Sequence, residues 1–433
     1  MLIMHSGRGM RPGAHRVEEG VRAIHRPDVI IVGGGIIGCA IGFFLAKAGV
    51  RPLILERGKI GGEASSGAAG MLTAQAHTDE PGLLFDLKLA SRALYEPLAE
   101  ELRQRTDLDI EHRKLGHLVP ALTEEEDDLV ARRVAWQAAR GLPAVRLTAK
   151  EAHELEPGLS PEVRGAGWFP EDHHVNNSAV TQALASASLR QGGQVRVDCT
   201  VVDLVRDGER VTGVRTLEET ISADTVILCA GAWSRQFETA AGLPLPILPA
   251  KGQIVVARLT TPALRHVVYG TGAYAIPRPS GEHIIGSTVE YVGYDKRVTV
   301  EAVTGILARM TALAPALREA EMVASWACLR PAAPDGLPIL GPIPGRRGLL
   351  VATGHFRNGI LLAPITGKLI AQLITDATTS ISQEPFRPDR PYPSIRRTMT
   401  SRASDFARSP PVNNAKSCSA SANRPHSPHN DAR

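Results

Sequence analysis

Three glycines at positions 33, 35 and 38, with an acid at position 56, have the spacing in this chain that points most directly to chemistry. The glycines form a G-x-G-x-x-G turn. Gly33 permits the tight bend, Gly35 lets the backbone approach a pyrophosphate, and Gly38 lets a helix pack closely against a strand. Ile36 and Ile37 open that helix, whose free N–H groups and positive dipole end suit phosphate oxygens. Glu56 can accept hydrogen bonds from a ribose diol, and its charge repels a 2′-phosphate. The ligand this pattern implies is a dinucleotide other than NADP.

The elements that position these residues are legible around them. Val29 to Val32 is an apolar strand pattern, Ile36 to Ala48 a helix stopped by Gly49, and Pro52 to Leu55 a second strand ending in Glu56. Together they make a complete βαβ unit. Val29 to Ala46 is also 18 residues without a charge, the length at which a membrane helix becomes an alternative, but five glycines within it speak against one. Two later segments repeat the strand-and-turn pattern, Asp224 to Ser234 and Gly348 to Ile370. They predict further strands of one parallel sheet returning to one ligand. Helical patterns dominate 83–140. QIVVARL, AYAIPRP and EHIIGSTV, within 239–327, have strand character and predict an antiparallel sheet.

The expected fold class is α/β (α+β overall), a Rossmann-like dinucleotide-binding domain with an inserted antiparallel-sheet substrate domain. Segments 27–82, 168–238 and 328–380 are assigned to the first, and 83–167 with 239–327 to the second. Residues 1–27 read as a flexible arm without the apolar core of a secretory signal, and 391–433 as a disordered tail. The formal charge of +4 resides in these ends, leaving the body mildly acidic and unlike a nucleic-acid binder. Five cysteines, Cys39, Cys199, Cys229, Cys328 and Cys418, are scattered without metal-ligand spacing. A reducing cytoplasm is expected, with no metal, nucleic acid or membrane span.

These motifs together resemble the D-amino-acid oxidase superfamily of flavoproteins, and within it the glycine oxidases of thiamine biosynthesis, over roughly Asp28 to Ala371. The resemblance implies FAD. It also implies that the small-residue loop Gly61 to Leu72 wraps the cofactor, with Ser65, Ser66, Ala69, Gly70 and Met71 in contact. Arg57, Val202 on the strand leading to the adenine pocket, and Ala230, Gly231 and Trp233 are further implied contacts. So are His355, Arg357, Asn358, Gly359 and Ile360, where a helix N-terminus and an arginine would oppose the negative charge that the ring gains on reduction.

The resemblance further implies that Arg330, in SWACLRP, binds the substrate carboxylate beside the flavin. A guanidinium forks onto a carboxylate bidentately. Tyr274 adds its hydroxyl, and Met71 walls the pocket. Val289 stands where glycine oxidases carry a larger Met near the substrate, a departure that leaves the tightness of the pocket open. Cys328 lies seven residues before Asp335, the spacing at which sarcosine oxidases attach flavin covalently. The nearer likeness to glycine oxidases favours a buried, inert thiol and non-covalent FAD.

The expected reaction is oxidation of glycine, sarcosine or D-alanine by hydride transfer to flavin. Dioxygen then yields hydrogen peroxide, and the imine is hydrolysed or feeds thiazole synthesis. A homotetramer is the assembly implied. The alternatives are a D-amino-acid or N-methyl amino-acid dehydrogenase passing electrons to a quinone or protein, and a non-catalytic FAD-binding scaffold.

Overall fold

The computed structural model describes residues 26–261, 263–270, 272–375 and 378–393. The expectations for residues before Arg26, and for the tail beyond Pro393, lie outside the described residues. Val29–Val32 is central to a six-stranded sheet. The order is Ile339–Pro342, Leu349–Thr353, Thr225–Leu228, Val29–Val32, Pro52–Leu55 and Gln194–Arg196, all parallel except Ile339–Pro342. Side chains of a strand alternate between faces. Val29 and Ile31 enter a core with the helices Ile36–Lys47, Asn177–Arg190 and Gly359–Ile374. Ile30 and Val32 enter another, with Leu204, Val211, Val214 and Ile221 of a three-stranded antiparallel sheet. Burial on both faces is why the strand reads as an unbroken apolar run. The helices cross at backbone contact: a Cβ on Gly367 would lie 2.8 Å from the Ala40 carbonyl oxygen.

The second sheet has eight strands, in the order Glu321–Ala332, Leu248–Arg258, Glu282–Gly286, Ala273–Pro277, Val267–Gly270, His117–Ala121, Gly165–Phe169 and Val145–Thr148. It is not wholly antiparallel as expected. Val267–Gly270 runs parallel to His117–Ala121. That pair joins two segments distant in the chain, so no hairpin sets its direction. Helices dominate 83–140 as read, Leu83–Ala93, Tyr95–Thr106 and Glu124–Ala139, and the strand His117–Ala121 lies between the last two.

Four buried histidines make the fold acid-sensitive. Burial pushes the imidazoles of His173, His174 and His355 down to about 3 and that of His117 to about 4. All four are at most 6% exposed. Because these folded values lie below the ordinary 6.5, the unfolded chain binds more protons between pH 6.5 and about 4, so stability falls as pH falls through that window. Each histidine contributes up to about 1.4 kcal/mol per pH unit there. We expect the melting temperature to drop steeply from pH 7 to pH 5. Changing His174 to Phe should flatten the slope in a pH series of thermal melts, and an unchanged slope would contradict the assignment.

Candidate functional site

One cavity is lined by residues of the six-stranded and eight-stranded sheets, including Val32 and Leu55 on one side and Tyr274 and Arg330 on the other, with Glu56 and Val201 beside the first pair. At its glycine turn the backbone leaves no room for side chains. Gly33 has φ +112°, and a Cβ there would lie 2.4 Å from the Cys229 carbonyl oxygen. A Cβ on Gly38 would sit 2.0 Å from the Gly33 oxygen, so the helix packs directly on the turn. A Cβ on Gly35 would press on a single side-chain atom, Ser65 Oγ, at 3.3 Å. The Ile36 N–H donates to that same oxygen at 2.9 Å. One Glu56 carboxylate oxygen accepts from the Gly34 N–H at 2.7 Å and the other from the Gly58 N–H at 2.9 Å. The acid is therefore fixed in direction, and each oxygen keeps a further lone pair for a diol. This cradle has the shape and donors that a dinucleotide cofactor requires.

The loop from Gly61 to Leu72 is held by groups that the sequence did not single out. Asn177 Nδ2 donates to the Ser65 and Ser66 carbonyls at 2.7 and 3.0 Å. Arg278 donates to the Ala69 and Val175 carbonyls at 3.0 and 3.2 Å. Trp326 Nε1 donates to the Gly67 carbonyl at 3.2 Å. Gly67 then lies so close to Cys328 that an added Cβ would be 2.5 Å from Cys328 Cβ. Arg57 stacks on Trp233, 3.7 Å from its ring centroid.

At the other side, the Arg330 guanidinium uses two N–H groups on neutral oxygens, Thr288 O and Ser287 Oγ, both at 2.9 Å. It lies directly over Gly252, where a Cβ would come within 2.1–2.2 Å of its terminal atoms. Among the described residues no carboxylate pairs with it, whereas the buried Lys251 has Glu290 at 3.2 Å. Tyr274 packs on Gly286, and burial pushes its hydroxyl up while Arg330 and Ser287 act against that push. Arg357 donates to the Tyr269 hydroxyl at 2.8 Å, and the Tyr269 ring stacks on Tyr274 with centroids 6.2 Å apart. His355 is held neutral by burial, with Nε2 3.0 Å from Thr366 Oγ1. Burial also pushes the Cys328 thiol up, and its Sγ lies 3.5 Å from the Gly67 carbonyl oxygen.

Of the residues singled out in the sequence, most line this cavity: Gly33, Gly35, Ile36, Ile37, Glu56, Arg57, Ser65, Ala69, Gly70, Met71, Ala230, Gly231, Trp233, Tyr274, Arg330, His355, Arg357, Gly359 and Ile360. Gly38 acts from beneath the turn. Three others also do not line it. Val202 is exposed and its neighbour Val201 faces in; Ser66 borders a second, adjoining cavity; Asn358 stands just before the final helix. Val289 also misses the lining and packs with Leu248, Ala250 and Ala332, so its smaller size does not widen the cavity. Ser287, Thr288 and Gly252 were not identified as site residues. The only sequence signal for them was small residues inside strand-like segments.

The family model described as FAD dependent oxidoreductase matches residues 28–373. A glycine oxidase of Geobacillus kaustophilus is 42% identical over 364 residues, 84% of this chain and 96% of that protein. A crystal structure of glycine oxidase from the same organism superposes with a TM-score of 0.83 at 41% identity, covering 86% of this chain and 100% of that one. A bifunctional protein ThiO/ThiG of Nostoc sp. is 35% identical over 81% of this chain, which matches 53% of that longer protein.

Proposed function

The chain belongs to the FAD-dependent oxidoreductase family, and on that premise we propose that it oxidises glycine or another small amino acid or amine, such as sarcosine or D-alanine. The observation that carries this reading is the half-buried Arg330, which faces the cavity with neutral hydrogen-bond partners and, among the described residues, no carboxylate. A cation in that setting gains most from an anion that arrives with a ligand. An amino-acid carboxylate matches its fork. FAD, when bound, supplies the hydride acceptor. The chain's own part is to hold and orient: Gly33, Gly35, Gly38, Ser65 and Glu56 for the cofactor, Arg330 and Tyr274 for the carboxylate, Met71 as wall. Orientation of this kind can supply about 7–11 kcal/mol of barrier lowering, and no protein base is required of a substrate that reacts as the neutral amine.

We assign dioxygen as the terminal acceptor, giving hydrogen peroxide. The imine from glycine would hydrolyse to glyoxylate and ammonia or feed thiazole synthesis, a role that the likeness to a bifunctional ThiO/ThiG protein supports. A cytoplasmic site accords with the free thiols of Cys39, Cys199, Cys229 and Cys328. No helix among the described residues is long and apolar enough to cross a membrane. A homotetramer is the proposed assembly, and light scattering of the holoenzyme tests it.

The reading is tested by mixing the yellow holoenzyme anaerobically with glycine, sarcosine and D-alanine in turn. Loss of the visible flavin band, with its return and peroxide on admitting air, is the expected result. Loss of the band without return in air would replace the oxidase by a dehydrogenase, and no loss with any of the three would refute the substrate class.

The high-lying thiol of Cys328 is a poor thiolate source. We therefore expect acid or heat denaturation to release all the FAD into the supernatant after filtration. Yellow colour retained on the precipitated chain would establish a covalent link instead.

A further inference from the structure

Arg57, Glu63 and Trp233 line the cavity, and Tyr294 and Lys296, which do not line it, join them into a closed ring. Arg57 donates to a Glu63 carboxylate oxygen at 3.1 Å and lies over the Trp233 ring. Tyr294 stacks on the same ring with centroids 5.6 Å apart, and its hydroxyl donates to the Ala232 carbonyl at 3.1 Å. Lys296 completes the circuit on Glu63, with Nζ 3.1 and 3.3 Å from the two carboxylate oxygens. Tyr294 and Lys296 are exposed, so the ring has the cavity on one side and outside solvent on the other.

The segment that carries Tyr294 and Lys296 is a strap. It leaves the eight-stranded sheet at Glu290, which exchanges backbone hydrogen bonds of 2.8 and 2.9 Å with Lys251. It returns at Thr299, whose N–H donates to Gln253 Oε1 at 2.8 Å. Both anchors lie on the strand Leu248–Arg258, and a loop with its ends so close is a compact unit. Its tip reaches Ala232 and Trp233, which follow the strand Thr225–Leu228 of the six-stranded sheet, and Glu63 on the loop Gly61 to Leu72. Three separate pieces of the cavity wall are thereby tied together. The ties are of a strength that opens readily: a partly exposed ion pair, one hydrogen bond and one aromatic stack.

We infer that Tyr294 and Lys296 form a clasp over the cofactor cavity, which opens for FAD to enter or leave. The clasp joins one part of the protein to another and not the protein to FAD. It therefore governs the rate of exchange, and breaking it speeds entry and exit alike. It requires only a bound FAD, whichever amine is oxidised.

The test follows exchange of bound FAD against an excess of isotope-labelled FAD, read as label retained on the protein after desalting. Tyr294→Ala combined with Lys296→Met should raise the exchange rate about 10–30-fold. The equilibrium affinity for FAD, from titration of the FAD-stripped protein, should change by less than about threefold. Salt at about 1 M should speed exchange of the unsubstituted enzyme roughly two- to fivefold, and Lys296→Met should reduce that response. Tyr294→Phe keeps the stack and loses the hydrogen bond to Ala232, so it should raise the rate about two- to fivefold, and it carries the test if the alanine variant does not fold.

Exchange by the double variant within about twofold of the unsubstituted rate would overturn the inference. So would an FAD affinity that falls as far as the exchange rate rises, since the two residues would then merely support the bound cofactor. A salt response that Lys296→Met leaves whole would also overturn it.

Discussion

Replacing Arg330 by Met is expected to lower kcat/KM for glycine by roughly 10²–10³-fold while leaving the FAD content unchanged. The magnitude follows from removing one partner of a desolvated, hydrogen-bonded charge pair, about 3–4 kcal/mol. The direction of the stability change sets this residue apart. In the absence of substrate the guanidinium is half-buried, and among the described residues only Thr288 O and Ser287 Oγ answer its donors. Removing an uncompensated charge should therefore leave the melting temperature unchanged or raise it. A residue that served only the fold would behave in the opposite way. Arg330→Lys keeps the charge but loses the planar fork, so it should recover part of the activity, about tenfold over Met. Steady-state kinetics and thermal melts on the three proteins decide the matter. A loss of less than about fivefold in the Met variant would mean that Arg330 does not bind the substrate.

How much of this was legible in the sequence depends on how locally each constraint acts. The glycine turn announces itself because its demands are steric and short-range. Gly38 must be small because of Gly33, five residues earlier, and no other residue type satisfies a 2.0 Å approach to a backbone oxygen. Glu56 was legible for the same reason, at the end of the strand next to the turn it anchors. Arg330 is the opposite case. Its environment is assembled from Ser287 and Thr288, 43 and 42 residues away in the chain, and from Gly252 on the neighbouring strand. Only the family resemblance, not the local pattern, singled it out.

Val202 shows a different failure. The segment VVDLV has apolar residues at 201, 202, 204 and 205, so its alternation does not say which face is inward, and an offset of one residue reverses every side chain. The strand His117–Ala121 was hidden by its helical neighbours and by Pro120. Its parallel pairing with Val267–Gly270 could not be read from either segment, because strand residues encode burial and pleat rather than direction.

Gly252 yields the second large effect, from a change of a single methyl group. With Ala at this position the new Cβ would stand 2.1 Å from one terminal guanidinium nitrogen of Arg330 and 2.2 Å from its central carbon. The backbone cannot yield, since Gly252 sits opposite Cys328 in the sheet and its neighbour Lys251 exchanges both backbone hydrogen bonds with Glu290. The side chain of Arg330 must therefore move, and in moving it leaves Thr288 O and Ser287 Oγ. Gly252→Ala should fold and bind FAD, because the cradle at Gly33, Gly35 and Glu56 lies elsewhere and Ala suits a strand at least as well as Gly. Its kcat/KM should nonetheless fall about 10²-fold, with the charge still present but displaced, since a shift of about 1 Å in a positioning group costs that much. Combining Gly252→Ala with Arg330→Met should lose little beyond the Met variant alone, for the two changes remove one interaction. Full additivity, or activity of Gly252→Ala within about threefold of the unsubstituted enzyme, would show that the guanidinium has room to spare and that its seat on Gly252 does not set the substrate's orientation.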